Sequence, residues 1–445
     1  MNNKNENESE FEVNRKMYGH EYDENWLDRS GNRRPRSFAA GVGTGILMVL
    51  IVLAVLTAVV LGYLRYRQGS QSVPDSTADS TKTDVQQILT QEVQEKIDLL
   101  SEYLQEYYYE DLDKEDLVEG LYAGVFSGAG DPYTEYYTAE QYEELNQQTS
   151  GSYYGIGAAF QQDLNTNEVV VDRVYEGTPA EEAGLKAGDN ILYVDEHRAD
   201  SMELSELVTY IKGEKDTSVH FQVERGESKE KVEMDIFRAE VEIPTVSGEM
   251  LEGDIGYIGI SEFSSVTSSQ FEKMLAELQT QGMKKMIIDL RGNPGGTVTS
   301  VTEILDDILP EGLMVYTENK SGEREEYTSD AEHFLDIPMA VLIDKHSASA
   351  SEIFAGAIQD FDYGTIIGTT SFGKGIVQTI MPLNDGSAMK ITTARYFTPN
   401  GNYIHEVGIS PDIEVEYEYT GSETEFEYTG DNQIMKAVEV LNNES

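Results

Sequence analysis

Across 445 residues the chain carries 32 Lys+Arg against 82 Asp+Glu, a formal charge of −50, and no Cys. So acidic a surface excludes a phosphate-backbone binder, which needs a basic footprint to displace counterions from nucleic acid. The lack of Cys excludes thiol nucleophiles, disulfides and thiolate metal sites together. At ~150 residues per domain the length allows about three domains, and 39% hydrophobic residues suffice for packed cores.

Residues 1–37 are polar and read as a cytoplasmic tail. No charged residue occurs from Ser37 to Leu64, and Phe38–Leu64 holds the run Ile46-Leu-Met-Val-Leu-Ile-Val-Leu-Ala-Val-Leu. About 20 apolar residues cross the hydrocarbon core, so 38–64 is predicted to be a single transmembrane helix. A cleavable signal peptide is the rival. Its apolar stretch is about 7–15 residues, however, and no small-residue cleavage site precedes Arg65-Tyr66-Arg67. Arg29, Arg33, Arg34 and Arg36 precede the span, against Arg65, Arg67 and Lys82 after it. That bias places the N-terminus inside and the rest of the chain at the outer face of the cell membrane, extracytoplasmic. Residues 65–83 are low in complexity and form a flexible linker. Residues 65–445 hold 25 basic and 74 acidic side chains, −49 of the total charge.

An N-terminal helical region follows over 84–150. Val85, Ile88, Leu89, Val93, Ile97, Leu100 and Leu104 recur in steps of three and four, one apolar stripe on a helix from Asp84 to about Tyr109. Such a stripe serves core packing or dimerisation, and a homodimer through it is one expectation. Gly128-Ala-Gly-Asp-Pro-Tyr breaks the helical run. Over 151–238 short β-like runs alternate with turns: Glu168–Val171, Asn190–Val194, Val219–Val223 and Lys231–Ile236. Over 239–420 strands such as Tyr257–Ile260, Lys285–Leu290 and Met339–Ile343 alternate with helices such as Ser269–Gln281 and Val298–Leu309, an α/β core. Residues 421–445 are an acidic segment and a helix near Asp431–Leu441. The fold class is multidomain α/β.

Three segments carry chemistry. In Tyr154-Gly155-Ile156-Gly157-Ala158-Ala159-Phe160, glycines let successive N–H groups converge into a nest able to hold a carboxylate, though an ordinary turn reads the same way. In Ser347-Ala-Ser349-Ala350-Ser351-Glu352 a strand gives way to a helix start. Ser349 and Glu352 fit a capping box, and the free N–H groups of such a terminus equally suit a nucleophile. Residues 363–384 contain no Asp or Glu, and Lys374 is the only charged residue there. A lysine acts as general base only when neutral. Lowering its pKa from about 10.4 to near 7 costs roughly 4–5 kcal/mol, a shift that an apolar, acid-free pocket favours, though a buried Gly-rich β-hairpin is acid-poor in any case.

The nest, with Gly177-Thr-Pro-Ala-Glu-Glu-Ala-Gly-Leu-Lys-Ala-Gly-Asp-Asn-Ile-Leu-Tyr-Val after it, resembles a PDZ domain, β-rich α+β. The resemblance implies that Gly155, Ile156, Gly157 and Ala158 bind a peptide's C-terminal carboxylate while the peptide adds a strand to the sheet edge. Leu207, Val208 and Ile211 either face the peptide's last side chain or are core. Ser349, then Phe372-Gly-Lys374-Gly, then Gln378, together with the domain order, resembles the C-terminal processing peptidases, the tail-specific serine proteases of family S41. By that resemblance Ser349 is the nucleophile, Lys374 the general base and Gln378 the group orienting it. Asp289-Leu-Arg291-Gly-Asn-Pro-Gly295-Gly296 matches the family's Gly-rich strand end, which implies an oxyanion hole from the Gly295 and Ala350 amides. Thr369 stands where many relatives carry Glu. His405 keeps a Ser-His-Asp alternative open. His346 reads as solvent-facing, and His20, His197, His220 and His333 have no metal-ligand spacing. The resemblance implies no cofactor and no metal. The expected function is a membrane-anchored serine endopeptidase acting on proteins or peptides with free C-termini. The alternative is a non-catalytic anchored PDZ scaffold with a degenerate protease domain.

Overall fold

The computed structural model describes residues 88–226, 228–330, 332–422 and 427–443. The span expected at 38–64 lies outside these residues, and among them no helix is long and apolar enough to cross a membrane. Helix α1 (Gln91–Tyr107) follows the expected three-and-four spacing, yet none of its residues is buried, and Leu100 and Leu104 are exposed.

Helix α2 (Lys114–Ser127), β1 (Glu135–Tyr137) and α3 (Ala139–Ser150) come next, the last opened by a Thr138/Gln141 capping box. Strands β2 (Ser152–Gly155), β3 (Ala158–Gln162), β4 (Val169–Val174), β5 (Asn190–Val194), β6 (His197–Arg198), β7 (Ser218–Arg225), β8 (Glu230–Phe237) and β9 (Ala239–Glu242), with helices α4 (Pro179–Glu182) and α5 (Leu204–Ile211), follow. Within this group β3-β4-β5-β7-β8 form one sheet with β6 on β5, and β2 pairs with β9. Val169, Val171, Ile191, Phe221 and Val223 alternate into a single core, the period-2 pattern of a sheet with one wet face. Strand β3 is the sheet's edge.

Then come β10 (Val246–Leu251), β11 (Ile255–Ile260), α6 (Thr267–Thr280), β12 (Lys285–Asp289), α7 (Val298–Asp306), β13 (Gly312–Asn319), β14 (Arg324–Ser329), β15 (Met339–Ile343), α8 (Ala350–Asp360), β16 (Thr365–Gly368), β17 (Ile376–Pro382), β18 (Ala388–Phe397), β19 (Ile413–Glu414) and α9 (Asn432–Asn443). The central sheet runs β10-β11-β12-β15-β16-β19, parallel from β11 onward. Its inner strands β12, β15 and β16 are mostly apolar and buried because both faces are covered. Met286, Ile288, Val341 and Ile343 face the core shared with α6, α7 and α8. Ile287, Ala340 and Leu342 face a second core with Ile434, Ala437 and Leu441 of α9. A second sheet, β1-β18-β13-β14 with β17 on β18, carries the Lys374 hairpin.

Candidate active site

Parallel strands β12 and β15 are neighbours, so the loops after their C-terminal ends meet at one edge of the sheet, where open α/β sheets place their sites. The loop after β15 delivers three serines. Ser347 is fully buried, its hydroxyl donating to the Leu290 carbonyl at 2.8 Å. Ser351 is fully buried, donating to the Asn293 carbonyl at 3.0 Å. Ser349 alone is part-exposed, and it sits at φ 53°, ψ −112° at the start of α8. A non-glycine residue held at positive φ costs about 1–3 kcal/mol, strain of the kind found at functional sites. Conformation and exposure set Ser349 apart from the serines on either side.

Glu352 holds this turn in place. It is 0% exposed, and its carboxylate accepts four hydrogen bonds. Oε2 takes the Ser349 N–H at 2.9 Å and the Lys374 N–H at 2.8 Å, and Oε1 takes the Gly373 N–H at 2.7 Å and the Ser371 hydroxyl at 2.5 Å. The Ser349 and Lys374 backbone nitrogens therefore lie within the sum of the two Oε2 distances, 5.7 Å, of each other. The sequence shows Glu352 only as a helix cap. Its reach to a segment some twenty residues on is set by the fold. Tyr396, buried under the same turn, donates its hydroxyl to the Ser349 carbonyl at 3.1 Å.

Lys374 is half-buried, and its ammonium has no ion pair or protein hydrogen bond among the described residues. Its Nζ stands 4.8 Å from the centre of the Tyr133 ring. Burial first, and the Lys390 ammonium next, push its pKa below the ordinary lysine value, against the pull of Glu135, Asp131 and Glu352. The acid-free pocket inferred from residues 363–384 is thus corrected. Carboxylates from distant segments do surround the amine, and desolvation outweighs them. Gln378 donates to Thr392 Oγ1 at 3.4 Å, and among the described residues no hydrogen bond joins it to Lys374. His405 has a buried Nδ1 without a partner, and none of its hydrogen bonds reaches Ser349 among the described residues. His346 is exposed.

The Gly-rich turn after β12 packs directly on the serine. At Gly295, φ 103°, a Cβ would fall 2.8 Å from Ser349 Cβ and 2.9 Å from the Ala350 nitrogen, so only glycine fits. Its N–H, expected as an open donor, is instead donated to Asn293 Oδ1 at 2.8 Å. The Ala350 N–H, in the first turn of α8, has no backbone acceptor among the described residues. Asp289 and Arg291 have another role. Arg291 binds Asp289 at 2.5 Å, Gln433 at 2.8 Å and Asp431 at 2.9 Å, tying the motif to the α9 end of the chain. Burial opposes the guanidinium charge, but the Asp289 hydrogen bonds raise its pKa further still.

In the small β domain, Gly155, Ile156, Gly157 and Ala158 are all buried at the entry to edge strand β3. Gly157 has φ 82°, and a Cβ there would meet Thr178 at 2.3 Å. The N–H groups of Ile156 and Gly157 have no backbone acceptor among the described residues, and the Gly157 N–H faces the Tyr153 hydroxyl. Leu207 and Ile211 are core, 0% and 3% exposed, while Val208 is part-exposed on the same helix.

The model of Peptidase family S41 matches residues 254–415, that of the PDZ domain 155–236, and that of the activating protease CtpB N-terminal domain 53–141. The carboxy-terminal processing protease CtpB of Bacillus subtilis (strain 168) is 36% identical over 290 residues, covering 64% of this chain and 60% of that protein. The carboxyl-terminal-processing protease of Synechocystis sp. is 35% identical over 290 residues, covering 64% of this chain and 68% of that protein. A solved photosystem II D1 C-terminal processing protease is 29% identical, with 72% of this chain and 86% of that chain covered and a TM-score of 0.42. The matched stretch is thus three fifths to two thirds of the length of these curated relatives. The two family models span the nest, the Gly-rich turn, Ser349 and Lys374, and the chain belongs to the carboxy-terminal processing peptidases of family S41, with a PDZ domain.

Proposed function

We propose that the chain is a serine endopeptidase that hydrolyses peptide bonds with a Ser349–Lys374 pair, after its PDZ domain has captured the substrate's free C-terminus. One observation carries the reading: a single buried oxygen, Glu352 Oε2, accepts the N–H of both Ser349 and Lys374. Neutral Lys374 Nζ takes the Ser349 proton as Oγ attacks the scissile carbonyl carbon. The Ala350 N–H and a glycine N–H of the 292–296 turn hold the oxyanion. Gly295 can serve only when its bond to Asn293 opens. The C–N bond breaks and the leaving amine takes the proton from the Lys374 ammonium; Lys374 then deprotonates a water that attacks the acyl carbon, the C–Oγ bond breaks, and Ser349 Oγ takes the proton back from Lys374. Gln378 orients Lys374 on leaving Thr392. No step calls for a cofactor.

Recognition follows from the sheet edge. An extended tail adds to β3, its carboxylate accepts the Ile156 and Gly157 N–H groups, and Val208 meets the last side chain. The uncharged stretch 38–64 supports a single-pass anchor in the cell membrane with the catalytic part extracytoplasmic. The exposed stripe of α1 supports a homodimer.

Amidating the C-terminus of an unstructured substrate is expected to raise KM tenfold or more, since charge-assisted hydrogen bonds contribute about 1.5–3 kcal/mol each. Deleting 152–238 should abolish that difference. Equal KM for acid and amide in the intact protein would reject tail recognition by the nest.

A further inference from the structure

The Gly128–Tyr133 break and the short strand after it do more than end a helix. Asp131 Oδ1 accepts the Tyr133 N–H at 3.0 Å and its Oδ2 accepts the Thr134 hydroxyl at 2.7 Å, fixing a tight turn. Thr134 Oγ1 then accepts the Thr392 N–H at 3.1 Å, docking the segment on β18. In this register Glu135 lies opposite Lys390. Lys390 Nζ pairs with Glu135 Oε2 at 2.6 Å and donates to the Tyr137 hydroxyl, which itself donates to Glu135 Oε2 at 2.7 Å. On β18, Lys390 and Thr392 share a face, and their cross-strand partners are Ile380 and Gln378. The side chain proposed to orient the base therefore lies on the same hairpin face as a second, pinned lysine. The segment that pins it also places Tyr133 against Lys374.

We infer that Lys390, fixed by Glu135 and Tyr137, is a positioning residue for the general base, supplying the positive charge beside which the Lys374 amine works. This rests on the Ser-Lys reading above. The sign follows from the arrangement, since two neighbouring ammonium groups cannot both charge freely. Burial opposes the charge on Lys390, but the hydrogen bonds to Glu135 and Tyr137 prevail and raise its pKa. Lys374 has no such partner and yields instead: after burial, Lys390 is the next cause of its lowered pKa. Other groups face Lys374 as well. Asp131 and Glu135 from the docked segment and Glu352 from α8 act the opposite way, as does the face of the Tyr133 ring, which attracts a cation. The loop packed behind Gly373 and Gly375 brings His405 and Glu406. Glu135 thus has two opposed effects. It secures the second ammonium and partly cancels its field.

The test is the acid limb of kcat/KM against pH, measured with the full chain on an unstructured protein ending in an apolar residue. Lys390→Met is expected to move the limb up by roughly one pH unit, with the wild-type rate regained on the alkaline side. Lys390→Arg should restore the wild-type limb. Glu135→Gln, which keeps an acceptor but removes the opposing charge, should move the limb down. A merely structural role would lower the rate at every pH and leave the limb in place. That result, or shifts of the same sign in Lys390→Met and Glu135→Gln, would overturn the inference. If Lys390→Met does not fold, the direction in Glu135→Gln decides. Full activity in Ser349→Ala would instead remove the Ser-Lys reading itself, a separate outcome.

Discussion

Replacing Lys374 by alanine is expected to lower kcat/KM for tail cleavage by about 10³-fold or more, within the range of losing a general base that acts as a unit with its nucleophile. Ser349→Ala should fall to the same floor, and the double variant no further, because either loss disables one proton transfer. Neither change should unfold the protein. Lys374 makes no ion pair, so its removal leaves no buried charge unpaired. Ser349→Ala keeps the helix start, since Glu352 binds the Ser349 backbone rather than depending on the side chain. Turnover equal to wild type in both variants would favour the scaffold reading. His405→Ala is expected to be mild by comparison, since none of its hydrogen bonds reaches Ser349 among the described residues.

Glu352→Gln should damage activity and stability together, which separates it from the two catalytic variants. The glutamine offers one acceptor oxygen where the carboxylate offers two, and its NH₂ faces N–H and O–H donors. Two of the groups at Ser349, Ser371, Gly373 and Lys374 would lose their acceptor around a side chain that is itself fully buried. An unsatisfied buried group costs about 1–3 kcal/mol, so a total near 3–5 kcal/mol is expected, read as a lower midpoint in urea. The same variant unties the turn carrying the nucleophile from the loop carrying the base, and kcat should drop more than about 100-fold, since small misplacements of reacting groups are that costly. Wild-type kcat in a measurably destabilised Glu352→Gln would show that the staple is structural alone.

Much of this architecture is legible in the chain because it is local. Met286-Ile-Ile and Ala340-Val-Leu-Ile announce strands covered on both faces, and the spacing in Thr267–Thr280 and Asn432–Asn443 announces helices that lie near where they are expected. The serine motif is legible too, and the spacing to Glu352 already marks Ser349 among its three serines. Burial adds a separation that the sequence lacks, with Ser347 and Ser351 locked onto carbonyls of the neighbouring turn. What escapes the sequence is the set of contacts between distant segments. Glu352 looks like one half of a capping box, and nothing in Ser-Ala-Ser-Glu points to Gly373 and Lys374. The window around Lys374 is free of acids, yet Asp131 and Glu135 arrive from some 240 residues earlier. The Gly128–Tyr133 break reads as punctuation, when it is the turn that brings Tyr133 to the base. In the PDZ domain the apolar positions of α5 are ambiguous until Leu207 and Ile211 prove to be core, with Val208 part-exposed.

The most direct test of the neutral-lysine mechanism is the pH dependence of Ser349 phosphonylation by a serine-directed phosphonate ester, in wild type and in Lys374→Ala. Because burial and Lys390 lower the Lys374 pKa, the neutral amine accumulates as pH rises through a midpoint below the ordinary value of about 10.4. The Ser-Lys mechanism predicts a wild-type rate that climbs through such a midpoint and a Lys374→Ala rate that is low and shows no climb there. A midpoint at the ordinary lysine value, or an unchanged profile in Lys374→Ala, would contradict it.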